Sequence, residues 1–481
     1  MVVEMLAMAV VLASGAAAVQ ALGLRGWPSA PIGFLAGLAM QVIVGLAVVL
    51  VSSAWAVLLL WVVPVAVAAI LWVGAWRRGA VAARDLAWIA GAAGATAVLA
   101  AAARASQLFA FHPDSFVLTN ISAVIARGDL LDVVSSYLMI KRPFGYSVVH
   151  ASAAAVGDHA WTSIAPLTAI AALGVAWWMV TLAARDGAGR APLALAGLAL
   201  VVLVTSNRFV YHSFYLNAHM LLVAFTVVTA ACSWLIVRGG APVSARALAV
   251  IAGTTAAAAV LIRPDGGLFA AVAMAGLLVA RSVPLRLKVI AAAPLVVMIG
   301  AYNTLAFVTL AAVGANYLAT GPQFVVGVGI AALVAVQGWW PRLATFPAMP
   351  ALLEAGPWLA AILASLWRPQ IARDNAESVW ENFVLDSAYW GWSALLVAAL
   401  VAVVAVALRS REAWMLRISA TTLLPIAWVM SVVRGGEYRY GPYDSLARMA
   451  VHALVFGAVY AAVVLAQHQW RGLREPAPRT S

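Results

Sequence analysis

Residues 55–76 read WAVLLLWVVPVAVAAILWVGAW, a run of 22 residues without a charged side chain. An α-helix rises about 1.5 Å per residue, so a run of this length crosses the roughly 30 Å hydrocarbon core of a bilayer. Comparable runs recur along the chain, which is 65% hydrophobic and 10% charged. Soluble domains carry about 25% charged residues. The sequence therefore predicts a polytopic membrane protein and excludes a soluble globular domain.

The apolar runs predict an all-α polytopic membrane protein with about 13–15 transmembrane helices and with amphipathic interfacial helices in an outer loop. The first run has no basic flank before it, so we interpret it as a retained helix rather than a cleaved signal peptide. The short runs 323–338 and 350–367 are also compatible with re-entrant or interfacial segments. The predicted spans are 3–22, 32–52, 55–76, 86–105, 161–184, 192–205, 209–237, 246–262, 267–280, 289–312, 323–338, 350–367, 390–408, 416–433 and 448–468.

The net charge of +12 is explained by topology rather than by a nucleic-acid partner. Alternate loops of the predicted topology hold 17 of the basic residues and four of the acidic ones. The positive-inside rule makes these loops cytoplasmic, which predicts a multi-pass protein of the inner (plasma) membrane. The longer polar loops, 106–160, 368–389 and 434–447, then all fall on the outer side. Because long loops often carry function, we expect the active site on the periplasmic face.

The outer loop 106–160 begins with a polar motif. Residues 111–116 read FHPDSF and directly follow a predicted span, which places His112 and Asp114 at the membrane surface. A carboxylate at this position can act as a general base toward a substrate hydroxyl. The simpler interpretation is that Asp114 caps the helix that follows it. Both interpretations stay open at this point.

Two amphipathic segments are predicted in the rest of this loop. The apolar side chains of 117–127 fall on one helical face, which favours a helix lying on the bilayer, and 130–140 is a second such segment. The second segment ends at Lys141 and Arg142, whose charges suit the phosphate of an anionic lipid. Alternatively, both cations simply extend toward the lipid headgroups.

Three further polar clusters are predicted at the outer ends of spans. Polar side chains at this depth usually face a protein interior or a wet cavity. Arg and Tyr together suit phosphate and sugar groups. Simpler interpretations stay open: a buried, hydrogen-bonded His219, a local ion pair between Arg263 and Asp265, and a loop at 434–443 that binds nothing. The candidate residues are Arg208, His212, Asn217 and His219 in the first cluster, Arg263 and Asp265 in the second, and Arg434, Tyr438 and Arg439 in the third.

This arrangement resembles the GT-C superfamily of integral membrane glycosyltransferases, which use polyprenyl-phosphate sugars outside the cytoplasmic membrane. In that family a catalytic acid lies early in the first large outer loop, and the matching residue is Asp114 within HPDS, 112–115. The stretch RPDG, 263–266, looks like the Asp variant of the Arg-Pro-Glu-Gly turn that members often carry. The stretch 211–225 is similar in placement to the family's polar turn. The chain departs from the pattern in its three preceding spans and in having one acid where many members have two.

The resemblance implies a catalytic module at 86–312 that contains the outer loop 106–160. Extra transmembrane helices at 1–85 would precede it, and a variable C-terminal module at 313–481 would follow it. It also implies an inverting single displacement with Asp114 as the general base. The residues expected to bind substrate are His112, Lys141, Arg142, Arg208, His212, Asn217, His219, Arg263, Asp265, Arg434, Tyr438 and Arg439.

The resemblance also implies the partners of the protein. They are a polyprenyl-phosphate sugar as donor, a cell-envelope glycan or glycolipid as acceptor, and the lipid bilayer. No cofactor is expected. The acids are isolated along the sequence and predict no carboxylate cage, which leaves the question of a divalent metal open.

Three other functions stay open at this stage. A secondary transporter would carry charges near the middle of its spans and broken helices repeated in two halves. Here the polar residues gather at the ends of spans instead. An envelope glycan ligase or polymerase would also use an outer-loop site, but it would accept a preassembled glycan. A non-catalytic assembly protein would tolerate the loss of Asp114.

Overall fold

The structure, a computed structural model, consists of helices joined by turns and short irregular segments in the part of the chain that it describes, and it contains no strand there. Eleven of the described helices are long and apolar enough to cross a membrane, or twelve if the bent pair at 191–204 and 207–214 is one span. The prediction of an all-α polytopic membrane protein is therefore confirmed. The described residues are 1–106, 108, 113–129, 143–184, 190–311, 321–340, 347–385, 392–408, 410, 413–434 and 445–468.

The helices are numbered here in chain order. Three of the apolar helices are shorter than a full span: Gly266–Val279, Val325–Trp339 and Trp392–Leu408. The bounds are α1 Val2–Ala21, α2 Ser29–Val51, α3 Leu59–Arg77, α4 Ala83–Ala105, α5 Pro113–Arg127, α6 Gly145–Ala155, α7 Ile164–Ala183, α8 Arg190–Val204, α9 Asn207–Phe214, α10 Ala218–Arg238, α11 Ala245–Ile262, α12 Gly266–Val279, α13 Leu285–Ala311, α14 Gly321–Trp339, α15 Met349–Trp367, α16 Pro369–Trp380, α17 Trp392–Val403, α18 Trp414–Arg434 and α19 Ser445–Gln467. A 3-10 turn, Ala54–Leu58, leads into α3, and π-helical turns follow α16 (Glu381–Leu385) and α17 (Val404–Leu408).

The predicted continuous span over 209–237 was wrong, because the chain breaks at 215–217. The axes of α8 and α9 differ by 66°, and a separate helix, α10, begins at Ala218. Asn217 has an extended backbone, and its side-chain amide donates to the Tyr215 hydroxyl over 3.0 Å. The backbone N–H of Asn217 donates to the carbonyl of Tyr215 over 2.7 Å instead of to the residue four positions back, so the helical pattern ends here. The break places polar groups at the start of α10.

The chain forms two compact units. Unit 1 comprises residues 1–175 and 212–346, and unit 2 comprises residues 176–211 and 347–481. In unit 1, α1 packs against α2, α3 and α4, and α11 packs against α2, α10 and α13. In unit 2, α19 packs against α8, α17 and α18, and α15 packs against α18.

Helices α1 and α2 pack with their backbones in contact. A Cβ atom added to Gly15 would overlap the carbonyl of Gly33, and one added to Gly37 would overlap the carbonyl of Val11. Glycine at these positions is what permits so close an approach, as is common between membrane helices. The first two helices are therefore tightly bound to each other within unit 1.

A buried ion network joins three helix ends of unit 1. Glu4 in the first turn of α1 accepts from Arg104 of α4 over 2.7 Å, and Arg104 also pairs with Asp158 over 2.6 Å. The other carboxylate oxygen of Glu4 accepts from the backbone N–H and the hydroxyl of Ser163, just before α7. The Glu4 side chain is 1% exposed, so burial of its charge is balanced by these donors. The start of α1, the end of α4 and the start of α7 thus lie together.

Candidate functional site

The start of α5 lies beside the break between α9 and α10. The hydroxyl of Ser115 is buried and donates to the carbonyl of Leu216 over 2.8 Å. Asp114 directly precedes Ser115 and is half-buried. Helix α5 begins at Pro113, so Asp114 lies in its first turn rather than at the N-cap position. A carboxylate is favourable in a first turn because it meets the positive end of the helix dipole.

Helix α5 is held in place by the rest of unit 1. Its apolar face, with Leu118, Ile121 and Ile125, is buried, and α5 packs against α6. Ser147 of α6 donates to the carbonyl of Leu118 over 2.9 Å. At its far end, Ser52 donates to the carbonyl of Gly128 over 2.7 Å. The predicted helix at 117–127 therefore exists, and these apolar side chains are covered by protein. The predicted second segment at 130–140 lies outside the described residues.

The turn between α11 and α12 holds an ion pair that extends to α10. Arg263 binds both carboxylate oxygens of Asp265, with Nε to Oδ1 at 2.9 Å and Nη2 to Oδ2 at 3.2 Å. Its Nη1 lies 2.9 Å from Nε2 of His219. A guanidinium can only donate, so Nε2 of His219 must be the acceptor and the proton of this neutral imidazole is assigned to Nδ1. The predicted local pair is confirmed, and His219 belongs to it.

The side chains around His219 form a buried polar cluster. The His212 ring lies 5.1 Å from the His219 ring and 5.8 Å from the Tyr215 ring, between centroids. Asn217 supports Tyr215 through the amide-to-hydroxyl bond described above. His212, Asn217, His219 and Asp265 are each at most 5% exposed, whereas the Arg263 side chain is 22% exposed. The cluster therefore reaches the surface of unit 1 through Arg263.

Two buried polar residues of α6 were missed by the sequence reasoning. His150 Nδ1 accepts from the backbone N–H of Trp161 over 3.1 Å, and the His150 ring lies 4.6 Å from the Tyr146 ring. Burial lowers the pKa of His150 to about 3, so its imidazole is neutral, and burial raises the pKa of Tyr146, so its phenol stays protonated. The four-residue spacing of Tyr146 and His150 on an apolar helix was the available signal.

Arg208 belongs to unit 2 by chain position. It lies in the first turn of α9, four residues before His212, and is 2% exposed. Its guanidinium carbon is 6.0 Å from the centre of the Tyr211 ring. Its role in phosphate binding stays a prediction from the sequence.

The remaining predicted site residues cannot be placed. His112, Lys141, Arg142, Tyr438 and Arg439 lie outside the described residues, as does the side chain of Arg434 at the end of α18. Within the described ranges, no group of three or more His, Cys, Asp and Glu side chains is arranged to hold a metal ion.

Comparisons of the chain with protein-family models, with curated proteins and with solved structures find no match. A functional conclusion therefore depends on the chemistry of the residues themselves. In unit 1 the chain brings together five of the predicted residues, directly or through a neighbouring backbone: His212, Asn217, His219, Arg263 and Asp265, with Asp114 beside them on α5.

Proposed function

We propose that the protein is a membrane glycosyltransferase. It moves a sugar from a polyprenyl-phosphate donor to a cell-envelope glycan or lipid acceptor on the outer face of the inner membrane. The proposal is carried by the Ser115–Leu216 hydrogen bond, which holds the first turn of α5 next to the polar cluster at the start of α10. The half-buried carboxylate of Asp114 therefore lies near polar side chains that are fixed by burial. General-base catalysis needs such a carboxylate on a rigid support.

The proposed reaction is an inverting single displacement. Asp114 accepts the proton of an acceptor hydroxyl while the hydroxyl oxygen attacks the anomeric carbon. The bond between this carbon and the phosphate oxygen breaks, and the lipid phosphate leaves with the bonding electron pair. The products are the glycosylated acceptor, the polyprenyl phosphate and a protonated Asp114. Inversion follows because attack and departure occur on opposite faces of the sugar.

Arg263 has a positioning role in this proposal. Both carboxylate oxygens of Asp265 already bind its guanidinium, and the third contact goes to His219. An arginine whose charge is balanced by a carboxylate in this way binds a phosphate more weakly. It instead orients the His219 ring by donating to Nε2. The departing phosphate is then assigned to the other predicted cations of unit 1, Lys141 and Arg142.

The test uses purified full-length protein with a panel of polyprenyl-phosphate sugars and a membrane extract as acceptor. Asp114→Asn is nearly isosteric and removes the base, so we expect sugar transfer to fall by about 100-fold or more. The matched control is Asp129→Asn, which removes an exposed carboxylate just after the same helix and is expected to leave transfer within about twofold. Equal activity of both variants would mean that a residue other than Asp114 is the general base. No transfer by the wild type from any donor would overturn the proposed class.

A secondary transporter is the second candidate, because α8 and α9 form a helix pair bent by 66°. Discontinuous helices of this kind bind substrates in transporters, where they occur in both halves of the protein. The described ranges contain one such pair. A flux assay in proteoliposomes separates the two functions, since a transporter moves solute without consuming a lipid-linked sugar.

A further inference from the structure

Lys288 is a buried cation at the opposite end of α12 from the candidate functional site. It lies in the first turn of α13 and is 2% exposed. Its ammonium donates to the side-chain oxygen of Gln337 on α14 over 2.7 Å, and the amide of Gln337 donates to the carbonyl of Leu278 on α12 over 2.7 Å. Three helices therefore meet at one buried positive charge.

The helices around Lys288 contain no acid to balance this charge. Helix α13 packs against α11, α12 and α14. None of these four helices contains Asp or Glu, and the sequence has no acid between Asp265 and Glu354. The ends of α12 and α14 supply only the partial negative charge of helix C-termini. A buried ammonium with a neutral amide partner is costly unless an anion accompanies it.

The surroundings of Lys288 lie at the level of the lipid headgroups. Trp339 and Trp340, at the end of α14 and two and three residues beyond Gln337, are 87% and 70% exposed. Exposed tryptophans are enriched where a membrane helix leaves the hydrocarbon core. On α13 the neighbours Leu285 and Val289 are 36% and 42% exposed. Lys288 is thus buried next to exposed apolar and tryptophan side chains, which is the pattern expected where a helix end meets the lipid headgroups.

We infer that Lys288 forms a binding site for the phosphate group of an anionic glycerophospholipid, at the end of α13 beside Gln337. Two N–H donors of the ammonium remain beyond the one that binds Gln337. Arg281 and Arg286 are exposed on the turn and helix just before Lys288, which adds positive charge at the same level. Basic pockets between membrane helices bind anionic headgroups in this way.

This site is separate from the proposed catalytic one. Helix α12 runs from Gly266, next to Asp265, to Val279, the residue after Leu278, and a helix of its length spans about 20 Å. The inference does not depend on the proposed function. Asp114→Asn should therefore leave lipid binding unchanged, so that failure of one proposal is distinguishable from failure of the other.

The experiment measures the thermal unfolding midpoint of the full-length protein in nanodiscs. Discs of pure phosphatidylcholine are compared with discs that contain phosphatidylglycerol. We expect the anionic lipid to raise the midpoint of the wild type, and Lys288→Met to abolish this difference. The matched control is Arg246→Met, which removes an exposed positive charge from the first turn of α11 and should keep the difference. If Lys288→Met does not fold, Lys288→Gln keeps a donor for Gln337 without the charge.

Three results would overturn the inference. Lys288→Met could retain the full lipid-dependent difference. Arg246→Met could lose as much as Lys288→Met, which would indicate a general charge effect. Inorganic phosphate added to phosphatidylcholine discs could raise the wild-type midpoint as much as the anionic lipid does, which would indicate a site for free phosphate.

Discussion

At the residue scale, hydrogen bonds assign the state of the histidines beside the candidate site. His219 faces a donor, Arg263, and His150 faces a donor, the backbone N–H of Trp161. Each ring must therefore present an unprotonated nitrogen to its partner, which keeps both imidazoles neutral. A neutral His219 ring avoids placing further positive charge next to Arg263. The cluster is thus arranged to orient polar groups rather than to accumulate charge.

The neutral state of His150 predicts a pH dependence of stability. Its pKa is about 3 in the folded protein, below the value of about 6.5 in an unfolded chain. The unfolded state therefore binds more protons, so the stabilisation is fully present above pH 6.5 and is lost as the pH falls toward 3. Between pH 7.5 and pH 5 we expect a loss of about 2 kcal/mol from this residue. Unfolding midpoints at both pH values measure it.

The control for this prediction is His150→Gln, which cannot gain a proton in this range. Its unfolding midpoint should fall less than that of the wild type between the same two pH values. Equal falls in both proteins would show that other groups cause the acid sensitivity.

At the scale of elements, the contact between α1 and α2 depends on glycine residues, which have no side chain to hold the two backbones apart. We expect Gly37→Ala to force the two helices apart, because the added methyl group would overlap the carbonyl of Val11. Overpacking of this kind typically costs about 1–3 kcal/mol. Thermal unfolding of the purified protein measures the loss.

The matched control is Gly91→Ala in α4, where an added methyl group meets nothing within 4 Å. Alanine is the better helix former, so this variant should be as stable as the wild type or slightly more stable. A Gly37→Ala protein as stable as Gly91→Ala would contradict the close approach of α1 and α2.

At the scale of the whole molecule, the Glu4 network bears on membrane topology. It joins the start of α1, the end of α4 and the start of α7 in unit 1. The loop charges predict that these three ends all face outward. The contacts agree that they share one end, although they do not say which side of the membrane that end faces.

Cysteine labelling tests the predicted side. In a Cys232→Ser background, we expect His159→Cys, near the start of α7, to react with a membrane-impermeant maleimide on intact cells. Gly240→Cys, after α10, should react only once the membrane is permeabilised. Both positions are exposed, and Cys232 itself is fully buried. The reverse labelling pattern would place Asp114 in the cytoplasm and contradict the proposed mechanism.

The sequence by itself determined the helices. The predicted span 246–262 is observed as Ala245–Ile262, and 86–105 as Ala83–Ala105. This succeeds because every backbone group in a bilayer must be satisfied internally, so a long apolar run has few alternatives to a helix. The same reasoning failed at 215–217, where the backbone N–H of Asn217 donates to the carbonyl of Tyr215 instead of making a helical bond. The sequence also provided no sign that Lys288, one residue before the predicted span 289–312, is buried.

Only the tertiary structure decided which polar groups meet. Ser115 reaches Leu216 across 101 residues, and Arg263 reaches His219 across 44. Hydropathy carries no information about such pairs, because they arise from the packing of helices whose apolar faces are nearly interchangeable. The motifs at 112–115 and 263–266 predicted the candidate residues one by one. The contacts of these motifs with residues 216 and 219 followed from packing in unit 1, as did the burial of Tyr146, His150 and Lys288.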